Sequence, residues 1–202
     1  MVPNEMIAAV GVEIGRNLIS IMDHVAPVFS SVMDKRGKLV QLNLLAMLHF
    51  HAISRARSVL SAAQCHAFTI GLLVPVVDRF GSKPGDEVEY QAMFASRIRG
   101  FEQAQSSENI MSFCDYFLAC CNTSRIEIEF ADIRLSSKSL EITSRITGMT
   151  EDLKKEIERA NTDTTKAYYE GSYFMAEKLF PLFVACAEET RELVEKAMFK
   201  GK

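Results

Sequence analysis

The 202-residue chain is 48% hydrophobic and 24% charged, with a net charge of −3. Those are the proportions of a soluble globular protein, and five prolines are too few for wholesale disorder. Residues 1–85 hold eight basic and five acidic groups and the remainder fifteen and twenty-one, an imbalance too mild for a nucleic-acid surface. The length suits one domain spanning 1–202.

Ile7, Gly11, Ile14, Leu18, Ile21, Val25, Val28 and Val32 recur at 4-3-4-3 spacing. At 3.6 residues per turn they share one strip of a helix, expected to run unbroken from Ile7 to Val32. Glu13, Arg16, Asn17, Asp23 and His24 occupy the opposite, solvated strip. Gly11-x-x-x-Gly15 marks where a second helix crosses closely, so the seam reads as one wall of an intramolecular bundle.

Asp34-Lys35-Arg36-Gly37-Lys38 reads as a short charged connection. From Leu39 to Ile53 the chain is apolar on nearly every side, as befits the middle of a bundle or a subunit interface. Ser58 to Val77 then runs without a formal charge. Ser58, Ser61, Gln64, His66 and Thr69 argue for a core helix and against stable membrane insertion. Pro75 and the run Gly81–Gly85 are expected to end that helical region.

Asp86 and Glu89 have capping-box spacing and open a third helix carrying Tyr90, Met93, Phe94, Ile98 and Phe101 inward. Whether it stops near Ser106 or continues through Phe117 is open. Residues 125–147 are ambiguous: Ile126, Ile128 and Phe130 alternate with Glu127 and Glu129 as in a short β-hairpin. A helical seam through Ile128, Leu135, Ile142 and Ile146 is favoured, since nothing else in the chain reads as strand. Thr150 with Glu151 and Asp152 starts a last helical region, bent or broken near Gly171 and Pro181.

Five cysteines in no regular spacing (Cys65, Cys114, Cys120, Cys121, Cys186) argue against a disulfide framework and for a reducing, cytoplasmic setting. Glu5 and Glu13 interrupt the stretch where a secretory leader would be apolar.

Chemistry-bearing candidates are few. No histidine pairs with another ligand at i, i+3 or i, i+4, the spacing that a metal site on one helix requires. His49 lies on the strip of Leu42, Ala46 and Ile53 and points inward. His66 shares a strip with Val59, Ile70 and Leu73. These two are the candidate cofactor-binding residues, and each also reads as a core histidine bonded to a neighbouring carbonyl or hydroxyl. Cys120-Cys121 has no flanking cation in sequence nearer than Arg125, and reads as a pair of core thiols. The pairs Arg55/Arg57 and Arg97/Arg99 each split across two helix faces, which suits solvated or ion-paired arginines. Tyr168, Tyr169, Tyr173 and Phe174 crowd one region with Phe180 and Phe183, more than one core strip can hold. They are the candidate partner-binding residues.

No phosphate loop, dinucleotide fingerprint, nucleophile elbow or zinc motif is present. The expected object is an all-α antiparallel bundle of about five to seven helices. Its expected role is non-enzymatic, through protein–protein contact or homo-oligomeric assembly, with no metal or cofactor. The alternative is a small-molecule- or metal-binding bundle enzyme using core histidines.

Overall fold

Pro27 decides where the first helix ends. Helix α1 spans Asn4–Val25 and passes into a 3-10 turn, Ala26–Phe29, because proline has no N–H to continue the ladder and crowds the preceding turn. The seam expected to reach Val32 is therefore interrupted. Its helical members Ile7, Gly11, Ile14, Leu18, Ile21 and Val25 are all buried, and Glu13, Arg16, Asn17, Asp23 and His24 opposite them are exposed. The computed structural model describes residues 2–81, 83–107, 111–123 and 151–199, and the side chains of all of these except 30–35 and 199.

Helix α2, Ser30–Ala56, runs straight through the expected charged connection. That connection is only a kink at Arg36, whose φ of −140° and ψ of 23° leave the helical range. Every residue from Leu42 to Phe50 is buried, so the all-round apolar stretch is the middle of the bundle. The stretch expected to continue from Arg57 instead turns over residues 57–60. Ser61 then opens α3, Ala62–Phe80, with a full capping box to Gln64. Pro75 does not end α3 as expected. It is buried inside the helix against Gly15, and the helix stops at Gly81.

α1 and α3 approach so closely that Gly11 and Gly71 meet backbone to backbone. A Cβ added at Gly11 would lie 2.5 Å from the Phe68 carbonyl oxygen and 3.1 Å from Gly71 Cα. At Gly15 it would lie 2.8 Å from the Leu72 carbonyl oxygen. The pairs Val2–Gln64, Gly11–Gly71, Gly15–Leu72 and Asp23–Arg79 advance together along both helices, so α1 and α3 run parallel. In the chain, α2 comes between them and runs antiparallel: its early residue Lys38 donates to the Phe80 carbonyl at the end of α3. The closest pair in the bundle is thus not consecutive in the chain.

Gly85, at φ 98°, precedes α4 (Asp86–Gln105) in a conformation that glycine adopts without strain. Asp86 is the first helical residue rather than the cap, and its carboxylate accepts from the Lys83 backbone N–H at 3.0 Å. The helix stops at Gln105 and α5 follows at Met111–Cys120. α5 closes in a Schellman motif: Thr123 N–H bonds the Leu118 carbonyl, Asn122 N–H that of Ala119, and Asn122 takes φ 52°. Arg36 donates to the Cys121 and Asn122 carbonyls, and Asn43 donates to that of Cys120 at 2.8 Å. The kink in α2 thereby places a cation at the negative end of α5.

Residues 125–147, hairpin or helix in sequence terms, lie outside the described residues, as do Gly148 and Thr150. A helix over 151–159 (α6) precedes α7, Asp163–Phe174, which Thr162 caps. The expected bend between Gly171 and Pro181 is a π-helical turn, Met175–Leu179, leading into α8, Phe180–Phe199. Phe180 N–H bonds the Met175 carbonyl five residues back, widening the ladder just before proline interrupts it. No strand occurs among the described residues, and the fold is an all-α bundle. Phe29, Phe50, Phe68, Phe94, Phe101 and Phe117 are its largest fully buried side chains.

Candidate functional site

The four histidines divide by depth. His49 is fully buried, with its ring 4.8 Å from Phe94 in an edge-on contact. Neither ring nitrogen has a hydrogen-bond partner among the described residues, so the expected carbonyl or hydroxyl is not there. Burial pushes its pKa down to about 3, and the ring is neutral at physiological pH. His49 lines neither of the clefts described below. His66 is exposed, as are Val59 and Ile70 of its strip, whereas Leu73 on the same strip is buried. His24 is exposed as well. His51, which spacing alone does not single out, packs its ring against Phe50 and Phe113 and borders a cleft with Phe180 and Phe183. Burial lowers its pKa to about 4. No group of three or more His, Cys, Asp or Glu that could hold a metal comes together among the described residues.

The vicinal thiols have a cation after all, supplied across the helix interface. Arg97 Nη1 lies 3.1 Å from Cys120 Sγ, and Tyr116, lying over Gly100, hydrogen-bonds the same thiol. Burial still outweighs both and raises the Cys120 pKa. Cys121, deeper and beside Cys120, is pushed up to about 12. None of the five cysteines is joined in a disulfide, and these two remain protonated core groups. Arg55 and Arg57 fit the ion-paired reading, Arg55 bonding Glu195 at 2.9 Å and Arg57 pairing with Glu102, and Arg99 is exposed.

The aromatic group of α7 is only partly open. Tyr168 is 47% exposed and Phe174 41%. Tyr169 is half-buried, and Tyr173 is held by Glu177 at 2.8 Å beneath the Lys154 ammonium. Six positions apart on a helix, Tyr168 and Phe174 point about 120° from each other, so they do not form one face.

A continuous apolar face occurs instead on α3. Phe68, Gly71, Leu72, Pro75 and Val76 are buried inside, whereas Ile70 (44% exposed) and Val74 (40%) lie outside with Val77. Ile70, Val74 and Val77 fall within about 60° of one another around the helix. With Leu73 they line a groove of about 380 Å³ whose polar residues are Asp78 and, from α4, Glu87 and Gln91. The chargeless run Ser58–Val77 carried the signal: one seam cannot absorb apolar residues on two faces of one helix. Among the described residues no helix is long and apolar enough to cross a membrane.

No family model matches the chain, and neither a curated protein nor a solved structure is significantly similar to it.

Proposed function

We propose that this protein is a non-enzymatic helical-bundle module that acts by protein–protein contact, with the outer face of α3 as its docking surface. The single observation that carries the reading is the exposed pair Ile70 and Val74, with half-buried Val77 beside them, on a helix whose other face is already buried. Contiguous exposed apolar residues rimmed by polar ones are the usual mark of an interface, whereas isolated ones are not. The groove is open along a helix, so it suits an amphipathic helix laid in by its apolar face.

Charge narrows the partner. The groove carries Asp78 and Glu87, and Arg79 is committed to Asp23 at 3.3 Å. A two-fold pairing of this face with itself would bring those carboxylates together, so a partner helix with lysine or arginine along its flanks fits better. His49 and His66 give the enzymatic alternative little: one is sealed in the core and the other sits on the rim of this face.

A fluorescein-labelled amphipathic peptide with leucine along one face, made with lysine flanks and again with glutamate flanks, tests the reading by anisotropy. The lysine version should bind more tightly and weaken with salt. The Ile70→Glu/Val74→Glu double variant should lose at least about tenfold in affinity, since each buried aliphatic side chain contributes ~1.5–3 kcal/mol. Equal binding by the wild type and the variant overturns the proposal. A wild-type dimer in sedimentation that the double variant dissolves would replace the foreign helix with a second copy.

A further inference from the structure

A second cleft, of about 350 Å³, opens where the end of α2 meets the end of α4, α5 and α8. Phe113, Phe180 and Phe183 contribute three aromatic walls, Ala187 lies among them, and His51 and Gln105 contribute polar groups. His51 Nε2 is shielded from solvent and has no hydrogen-bond partner among the described residues. An unsatisfied buried nitrogen costs about 1–3 kcal/mol, so it calls for an explanation. We propose that this cleft binds a small, neutral aromatic molecule carrying one hydrogen-bonding group, which the His51 imidazole holds.

The cleft itself sets the ligand's size, aromaticity and neutrality. The volume lies at the small end of the range for small-molecule sites, and an apolar wall with a few polar groups is their usual construction. Phe113 and Phe183 already meet edge-on, 6.0 Å apart, and a further ring can join them in the same geometry. No charged side chain lines the cleft among the described residues, so a buried ion there would lack a counter-charge. The imidazole cannot supply one, because burial lowers its pKa to about 4 and it is uncharged at neutral pH. It can supply one donor and one acceptor. Turning over about the Cβ–Cγ bond exchanges ring nitrogens with ring carbons at nearly unchanged shape, so the ligand can reach a nitrogen without enlarging the cleft.

Calorimetric titration of the full chain with p-cresol and with toluene tests this. The two probes share a ring and a methyl group and differ by one hydroxyl. p-Cresol should bind about tenfold more tightly than toluene, the fold-change of one hydrogen bond to a previously unsatisfied group. His51→Leu should bring p-cresol down to the level of toluene while toluene still binds. Ala187→Phe, which fills the cleft, should abolish both, and the Ile70→Glu/Val74→Glu variant should change neither. On the wild type, p-cresol should also shift the NMR signals of the His51 and Phe183 rings. That readout stands even if the cleft-filling variant does not fold. The proposal fails if neither probe binds at millimolar concentration. It also fails if His51→Leu leaves the preference for p-cresol intact, or if those ring signals stay unmoved.

Discussion

At neutral pH His49 is uncharged, because removing it from water disfavours the imidazolium and holds its pKa at about 3 against an ordinary value of 6.5. The unfolded chain therefore binds this proton at higher pH than the folded one. The stability tied to His49 is fully present above pH 6.5 and is lost as the pH falls towards 3. The loss at the bottom of that window is on the order of 5 kcal/mol for a wholly buried group. His49→Leu removes the titration together with two unsatisfied buried nitrogens. It should raise stability at pH 7 by about 1–3 kcal/mol and make the fall in urea-melt midpoints between pH 6.5 and 4 shallower, the remaining slope coming from His51, whose pKa is also lowered, to about 4. An unchanged acid limb in the variant places the sensitivity elsewhere. The thiols carry a second prediction at this scale. Cys65 is half-exposed, whereas Cys114, Cys120, Cys121 and Cys186 are buried. Iodoacetamide on the native protein at pH 7.5 should alkylate Cys65 first by mass spectrometry, and the other four should react only on unfolding. Preferential labelling of Cys120 would mean that Arg97 outweighs burial. The sequence placed His49 inward through its strip with Leu42, Ala46 and Ile53. It could not pair Arg97 with Cys120, because that contact spans 23 residues and two helices.

Among the elements, α1 and α3 depend on the absence of side chains at Gly11, Gly15 and Gly71. A Cβ at Gly71 would overlap the Ala8 carbonyl oxygen, a backbone atom that cannot swing away. Alanine for glycine in an open helix interior gains ~1 kcal/mol. At this crossing the helices must instead move apart, and Gly71→Ala should cost about 2 kcal/mol in denaturant unfolding. A raised melting temperature would show that the crossing is looser than these distances. The glycine pair at 11 and 15 announced a close neighbour in sequence. It could not say that the neighbour is parallel, since short connections suggest antiparallel partners and α3 is reached only after α2 has returned. Boundaries were legible where a side chain acts on its own backbone and obscure where packing decides. Ser61-x-x-Gln64 and Asn122 are local start and stop signals of this kind, set among longer apolar runs that mask them in the sequence. Pro75, by contrast, looks like a terminator in any local reading, and stays inside α3 because its ring packs against Gly15.

For the molecule as a whole, the question is which apolar surface the fold uses and which it leaves over. The sequence shows an excess around residues 39–77 but cannot divide it. Residues 42–50 vanish into the bundle, and the surplus emerges on the outside of α3. Two neighbouring positions on that helix make the division measurable. Leu72 is fully buried beneath α1, and Leu72→Ala should cost about 2–5 kcal/mol because it leaves a cavity that the close helix crossing cannot collapse to fill. Val74 lies two residues on and points away, so Val74→Glu should stay within about 0.5 kcal/mol of wild type in equilibrium urea unfolding. The charge would go into water, and no neighbour would be left unpaired. If Val74→Glu instead costs as much as 2 kcal/mol, the outer face of α3 is covered by the chain's own residues, and the proposed docking surface is part of the core.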